Sequence, residues 1–345
     1  MDSIKVIKKL GSGVMGTTYL IEISQSSGKK RYICKIEKIW QMDVLYRCDA
    51  PLWREILFAD FCKKHTDHFM VLKSWEIVDR CKHVQDKPEW KMDPRFAKNW
   101  KLRNKSPYCS KLLYEPVLGG TLLDVLMKKS IKIQHVISIL AQVIYSINLL
   151  INEGYVHRDL HMNNIMFKKT TQKTIKLGSV DIKTFGLQWY LIDYGLILHR
   201  TFIQSWMDKV QQIQELDILT NEPYHDLTSF LFKFMGIPIW SLIEQKNMFD
   251  KIPNDTKLAG QIKKRKEFKD LKQYVPKVNA RTADNCTVLL FIINYPQEYH
   301  ELIGFGDVKY KKYIRNYDHI KDIYCNIIKR LAKPNLIIKY LQTLT

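Results

Sequence analysis

The run His157-Arg158-Asp159-Leu160-His161-Met162-Asn163-Asn164, followed by Ile192-Asp193-Tyr194-Gly195, sets three oxygen-bearing side chains at a spacing suited to phosphoryl transfer. The carboxylate of Asp159 can accept or orient the proton of an attacking hydroxyl. Asn164, five positions later, and Asp193 offer hard oxygen donors of the kind Mg2+ takes while it bridges phosphates.

Such a reaction also needs a phosphate cradle, a fixed lysine and an acidic partner for that lysine, in a set order along the chain. Leu10-Gly11-Ser12-Gly13-Val14-Met15-Gly16-Thr17-Thr18-Tyr19 reads as two short strands around a glycine-rich turn, where backbone N–H groups approach phosphate because no Cβ intervenes. The same pattern also occurs in ordinary hairpin turns. Arg31-Tyr32-Ile33-Cys34-Lys35-Ile36 is a β-branched and aromatic strand that presents Lys35. From Leu52 to Lys64 the spacing predicts an amphipathic helix with Leu52, Ile56, Ala59 and Phe61 turned inward. Glu55 on that helix is the candidate partner of Lys35, with Glu37 and Glu76 as rivals.

In this order the motifs resemble the eukaryotic-type protein kinase superfamily, over about Ile4 to Leu242. The resemblance implies an α+β bilobal fold, with a small β-rich N-lobe over about 1–117 and a larger helical C-lobe over about 118–345. It implies ATP and Mg2+ as cofactors and a protein substrate. Asp159 would be the catalytic base, Asn164 and Asp193 the metal ligands, and Lys35 the lysine oriented by Glu55 toward the phosphates. Arg158 would clamp a phosphorylated or acidic activation segment. Leu10, Gly11, Ser12, Gly13, Val14, Met15, Gly16, Thr18, Ile33 and Lys35 would surround the nucleotide. Lys111 to Leu122 resembles the fifth strand, hinge and following helix start, with Tyr114 as gatekeeper and Glu115 C=O and Val117 N–H at the adenine edge. Asp226, which opens an apolar stretch similar to the family's helix F, would hold the catalytic-loop backbone; a helix N-cap is its other reading.

The departures are specific. His161 stands where serine/threonine kinases carry a lysine two residues after the catalytic Asp, a pattern also similar to kinase-like small-molecule phosphotransferases. A neutral imidazole stabilises transferred phosphoryl charge less than an ammonium does. Thr18 and Ile33 replace the family's valine and alanine, which alters the adenine pocket. Between Asn164 and Asp193 the chain is longer than usual, and Lys176 to Trp189 predicts an extra hairpin, similar to the divergent kinases of large cytoplasmic DNA viruses. The A-P-E motif is missing; Asn221-Glu222-Pro223 is at best a remnant.

Composition agrees with this reading without specifying it. A chain of 345 residues with 46% hydrophobic residues can bury a large core. The seven cysteines are scattered without a CxxC pair, so neither a disulfide framework nor a zinc site is expected, and a reducing, intracellular and cytoplasmic home is expected, the host cytoplasm or virion if the chain is viral. No signal peptide is read at the N-terminus. Val136 to Ile151 is apolar but interrupted by Ser138, Gln142, Ser146 and Asn148, and reads as a buried helix, so no transmembrane segment is expected. The formal charge of +20 attracts polyanions, making nucleic acid or an acidic protein a partner class. Its densest cluster is Lys263, Lys264, Arg265, Lys266, Lys269, Lys272 and Lys277; a second basic stretch, Arg80 to Lys105, interleaves Trp90, Phe96 and Trp100. Each also reads as a solvated face. Phe305-Gly306-Asp307 reads as a turn and not as the metal triplet. Three functions stand open: a serine/threonine kinase, a kinase-fold small-molecule phosphotransferase, and a non-catalytic scaffold that binds acidic partners or nucleic acid.

Overall fold

The computed structural model describes residues 3–12, 16–26, 28–45, 50–83, 101–126, 131–204, 207, 209–221, 224–240, 262–275, 283, 286, 287, 290, 294 and 317–344. The fold is mixed α+β, with a β-rich N-terminal sheet and a helical C-terminal part. Two compact units divide it: residues 1–118 with 190–197 and 201–207, and residues 119–189 with 198–200 and 208–345.

The first unit is built on β1 (Ser3–Ser12), β2 (Thr17–Gln25), β3 (Gly28–Lys38), β4 (Leu72–Val78) and β5 (Cys109–Tyr114), in the order β1-β2-β3-β5-β4. All four pairings are antiparallel. Alternation along β2 and β3 turns Ile21, Ile23 and Cys34 into a buried cluster covered by Tyr19, Tyr32, Ile36 and Leu113. β1 and β2 are longer than the short strands expected around the glycine turn. A Cβ on Gly16 would stand 2.5 Å from Glu37 Cγ and 2.6 Å from Ile36 O, so only glycine lets the start of β2 lie this close to β3.

Helix α1 (Gln41–Val44) precedes α2 (Pro51–Lys64), which opens on Pro51, where its missing N–H costs nothing, and ends on Lys63 and Lys64 beside the negative end of the helix dipole. Leu52, Ala59 and Phe61 are buried as expected, but Ile56 is only half-buried. Phe58 takes the inward place instead, stacked on Phe61 at 5.0 Å and edge-on to Phe69 at 6.0 Å.

The reading of the cysteines needs correction. Cys81 and Cys109 are joined in a disulfide, with Cα atoms 5.7 Å apart. β4 and β5 pair with Val78 opposite Cys109, which brings the residues just beyond β4 back against the start of β5. Lys38 Nζ donates to the carbonyls of Cys81 and Ser106, both at 2.7 Å, at the neck of the basic stretch. Trp90, Phe96 and Trp100 themselves lie outside the described residues.

In the second unit, α3 (Leu122–Leu126) leads to α4 (Ile133–Asn152), then β6 (Tyr155–Val156) and a 3-10 turn at Met162–Asn164. β7 (Ile165–Lys169) pairs with β10 (Leu187–Leu191), and β6 with β11 (Leu198–His199). The expected extra hairpin is β8 (Thr174–Leu177) with β9 (Val180–Lys183), turned by Gly178 at φ +66°. Helices α5 (Lys209–Asn221), α6 (His225–Trp240), α7 (Lys266–Lys272), α8 (Tyr317–Lys329) and α9 (Pro334–Gln342) follow.

By length and composition α4 could cross a membrane, but 72% of its most apolar window is buried inside the protein. It is a core helix. The polar residues that interrupt its sequence are bonded inward: Gln142 Nε2 donates to Ser138 Oγ and to Leu187 O, while its Oε1 accepts the Trp189 N–H at 3.0 Å. α9 closes the other side, with Asn148 Nδ2 donating to Asn335 Oδ1 at 3.0 Å. Truncating fully buried Ile144 to alanine would cost ~2–5 kcal/mol. In the basic cluster, Phe268 and Leu271 anchor α7 while Lys263, Lys264, Arg265, Lys266, Lys269 and Lys272 are exposed. Lys277 and the triplet 305–307 lie outside the described residues.

Candidate active site

Lys35 sits in the middle of β3, opposite Thr18 on β2 and Leu112 on β5. Its Nζ lies 2.9 Å from Glu37 Oε1, 3.0 Å from Glu55 Oε2 and 3.1 Å from Asp193 Oδ1. Glu55 comes from α2, Asp193 from the loop after β10, and Glu37 from β3 itself, two residues on and therefore on the same face. Thus Glu55, weighed against two rivals, shares the lysine with one of them; the other, Glu76, pairs with Lys111 at 2.9 Å.

The electrostatics follow from burial. Desolvation pulls the Lys35 ammonium toward its neutral form, but Asp193, Glu37 and Glu55 outweigh it and hold its pKa well above the ordinary 10.5. Glu55 is 1% exposed, and burial raises its pKa from 4.5 to about 7. Lys35 and a hydrogen bond from Tyr114 oppose that rise, whereas Glu37 and Asp193 add to it. The Tyr114 hydroxyl donates to Glu55 Oε1. Tyr114 is itself fully packed at the end of β5, opposite Ile33.

Asp193 has φ +62°, in the left-handed region that non-glycine residues seldom adopt. Its side chain is 47% exposed while one oxygen is held by Lys35. Tyr194, next in the chain, is buried against Phe58 at 4.8 Å.

In the second unit the catalytic-loop motif is held from beneath. The backbone N–H groups of His157 and Arg158 both donate to Asp226, at 2.5 Å to Oδ2 and 3.0 Å to Oδ1. Asp226 is buried in the first turn of α6, so the loop rests on a helix and Arg158 keeps its own left-handed φ of +69°. Asp226→Ala would orphan two inward N–H groups, at ~1–3 kcal/mol each. It is expected to lower turnover about 100-fold through misplacement of the loop. Thermal melting measured beside initial rates separates the two effects; an unchanged rate would show that the loop holds itself.

Asn164 Nδ2 donates to Asp159 O at 2.8 Å and to Asp159 Oδ2 at 3.3 Å. His161 Nδ1 accepts the Asn163 N–H at 3.2 Å, which puts the proton of the neutral ring on Nε2, 3.8 Å from Asp159 Oδ2. Arg158 Nη1 lies 3.9 Å from Glu215 on α5. In the sequence Glu215 carries no mark beyond being one acidic residue of that segment. Asn221, the last residue of α5, begins the A-P-E remnant, whose 222 and 223 lie outside the described residues.

Of the nucleotide candidates, Gly13, Val14 and Met15 lie outside the described residues. Leu10, Gly11 and Ser12 end β1, and Gly16 and Thr18 lead into β2; Ser12 Oγ and Thr17 Oγ1 are 3.1 Å apart across the base of the turn. Ile33 and Val117 are buried, Glu115 N–H donates to Val71 O at 2.9 Å, and Glu115 pairs with Lys73 at 2.5 Å. The residues present fit Mg2+ by donor chemistry. In the second unit Asn164 spends its N–H groups on Asp159, which leaves Oδ1 as its oxygen donor, and in the first unit Asp193 carries a partly exposed carboxylate; each is a donor type that Mg2+ takes. Among the described residues no group of three or more His, Cys, Asp or Glu side chains could hold a metal alone. In phosphoryl transfer Mg2+ takes most of its shell from phosphate and water oxygens and needs only one or two protein donors.

Residues 97–200, a segment that takes in both the catalytic-loop motif and the Asp193 triplet, match the family model described as protein tyrosine and serine/threonine kinase. No curated protein matches the chain. The match spans less than half of the chain and marks that segment as similar to protein kinases.

Proposed function

We propose that this chain is an ATP- and Mg2+-dependent kinase that transfers the γ-phosphate to serine or threonine hydroxyls of proteins. The observation that carries the reading is the convergence of β3, α2 and the post-β10 loop on one ammonium, Lys35, by way of Glu55 and Asp193. Nothing in folding alone favours placing two buried carboxylates, Glu37 and Glu55, and a third, half-exposed one around a single lysine, because each buried charge costs several kcal/mol to desolvate, on the order of its attraction to the partner. A site that must orient a cation toward phosphates accounts for it.

In this reading the residues divide the work. Lys35, aligned by Glu55, neutralises phosphate charge. Asn164 and Asp193 would hold Mg2+, which supplies charge neutralisation across the phosphates when bound. Asp159 takes the acceptor proton at Oδ1 or Oδ2, while Asn164 keeps its carboxylate turned. Glu215 beside Arg158 is the acidic partner expected of the activation segment. Residues 1–117 and 118–345 would form the two lobes of one domain.

His161 favours a second reading, a small-molecule acceptor, because an imidazole replaces the lysine expected there. Incubating the protein with γ-labelled ATP, Mg2+ and a panel of proteins, peptides and small alcohols decides between them. Labelled phosphoserine or phosphothreonine supports the proposal; label only on small molecules supports the alternative; no transfer to any acceptor overturns both.

The charge predicts partner choice and not chemistry. The exposed lysines and arginine at the start of α7 act over about 8–10 Å at physiological salt. Replacing Lys263, Lys264, Arg265 and Lys266 with glutamine is expected to weaken binding to acidic protein or nucleic acid most at low salt, with acceptor-free ATP hydrolysis nearly unchanged. Equal polyanion binding by both proteins across a salt titration would make the cluster a solvated face.

A further inference from the structure

We propose that the Tyr194 hydroxyl is a positioning group that fastens the segment carrying Asp193 to the loop after α2, so that Asp193 is held at Lys35 in a single arrangement. The inference deepens the proposed kinase reading and rests on it for its meaning in catalysis.

Tyr194 is 1% exposed, and besides meeting the Cys62 side chain its hydroxyl bonds two backbone groups. It accepts the Met70 N–H at 2.7 Å and donates to Leu191 C=O at 2.5 Å. The ring packs on Phe58 and lies 6.5 Å from Phe69. Around it the two chain segments are laced together: Leu191 N–H donates to His68 O at 2.9 Å, Met70 N–H reaches Leu191 O at 3.2 Å, and Phe69 bridges Leu191 in parallel. Ile197 N–H returns to Tyr194 O at 3.0 Å, closing the turn behind the triplet.

The need for this fastening lies one residue earlier. At φ +62° Asp193 has a backbone that an L-residue leaves unless its surroundings over-determine it. Lys35 restrains the side chain only, and a flexible lysine stem is a poor anchor for a strained backbone. The hydroxyl of the next residue acts on the backbone directly. In kinases the packing of the phenylalanine at this place in the triplet sets the active or inactive arrangement. A phenylalanine can hold its place by packing alone; a tyrosine here adds two buried hydrogen bonds, whose loss leaves polar groups without partners if the segment swings away. In the arrangement seen here the hydroxyl and both backbone groups it meets have partners.

Tyr194→Phe tests this without removing the ring. Met70 N–H keeps Leu191 O as an acceptor in the variant, so the fold survives the change. Two measurements on the full chain are compared. Hydrogen–deuterium exchange is expected to accelerate about fivefold to tenfold, the loss of one net hydrogen bond, over residues 68–71 and 190–197 and not in β2 or β3. The Mg2+ concentration that half-saturates ATP binding should rise about as much, while binding of ATP without Mg2+ stays at the parent value, because only the metal ligand has lost its place. Parent-like exchange in both segments overturns the inference. So does an equal loss of Mg2+-free and Mg2+-dependent ATP binding, which would mark a structural role only. Should the parent protein bind no ATP at any Mg2+ concentration, the kinase reading fails, and the exchange comparison alone decides whether the hydroxyl fastens the segment.

Discussion

Asp159→Asn is expected to lower phosphoryl transfer by about 100- to 10,000-fold, the range for removing a general base, while ATP affinity stays near the parent value. The substitution keeps the side-chain shape, and Asn164 can still donate to the backbone oxygen of residue 159, the shorter of its two bonds there. Asp193→Ala should lose as much transfer for a different reason. It removes the proposed Mg2+ ligand together with one of three carboxylates on Lys35, so Mg2+-dependent ATP binding is expected to fall along with turnover. Rates and nucleotide titrations on the same preparations distinguish the two; near-parent turnover in both variants contradicts the site.

Lys35 and Glu55 make the second large effect. Lys35→Met should lower turnover by about 100- to 1,000-fold, as expected for a lost charge-stabilising donor. It also strands Glu37 and Glu55 with no cation, at ~3–5 kcal/mol of stability, so melting must be measured alongside. Glu55→Gln should be milder, since Glu37 remains 2.9 Å from the lysine. The double variant is expected to lose little more turnover than Lys35→Met alone, because Glu55 acts through the lysine. Fully additive losses would remove Glu55 from that role.

The pH dependence has a definite sign. The pKa of Glu55 is raised from 4.5 to about 7 on folding, so the folded state binds its proton more tightly than the unfolded chain. The stability this gives is fully present below pH 4.5 and is lost as pH rises through about 7. Activity should move the opposite way, rising through about pH 7 as the carboxylate forms and aligns Lys35. In Glu55→Gln that limb should vanish from the profile of kcat/KM.

What the sequence made legible was local. The spacing from Asp159 to Asn164 and the triplet at Asp193 are read directly, since their meaning lies in neighbours a few residues apart. Lys35 with Glu55 was legible as an order of elements, and Asp226 as the residue that opens an apolar stretch, while its burial was not. What remained hidden depended on strand faces and distant contacts. Glu37 joins Lys35 because two-residue spacing on β3 shares a face, a fact that does not rank one carboxylate above another. Cys81 and Cys109 meet because the β4–β5 register returns the chain across the basic stretch. Ile56 yields its inward place to Phe58, a larger side chain packed among Phe61, Phe69 and Tyr194. The seating of α9 on α4, through Asn148 and Asn335, has no local sign at all.

The central claim is that this chain moves the γ-phosphate of ATP with Asp159 as base and Asp193 as metal ligand. Its most direct test is transfer from γ-labelled ATP to a protein and peptide panel, run with the parent, Asp159→Asn and Asp193→Ala at matched folded concentration, with Mg2+ and with a chelator. The account predicts labelled phosphoserine or phosphothreonine from the parent with Mg2+ alone, and loss of that label in both variants. Transfer that survives both substitutions, or that proceeds equally in the chelator, would contradict it.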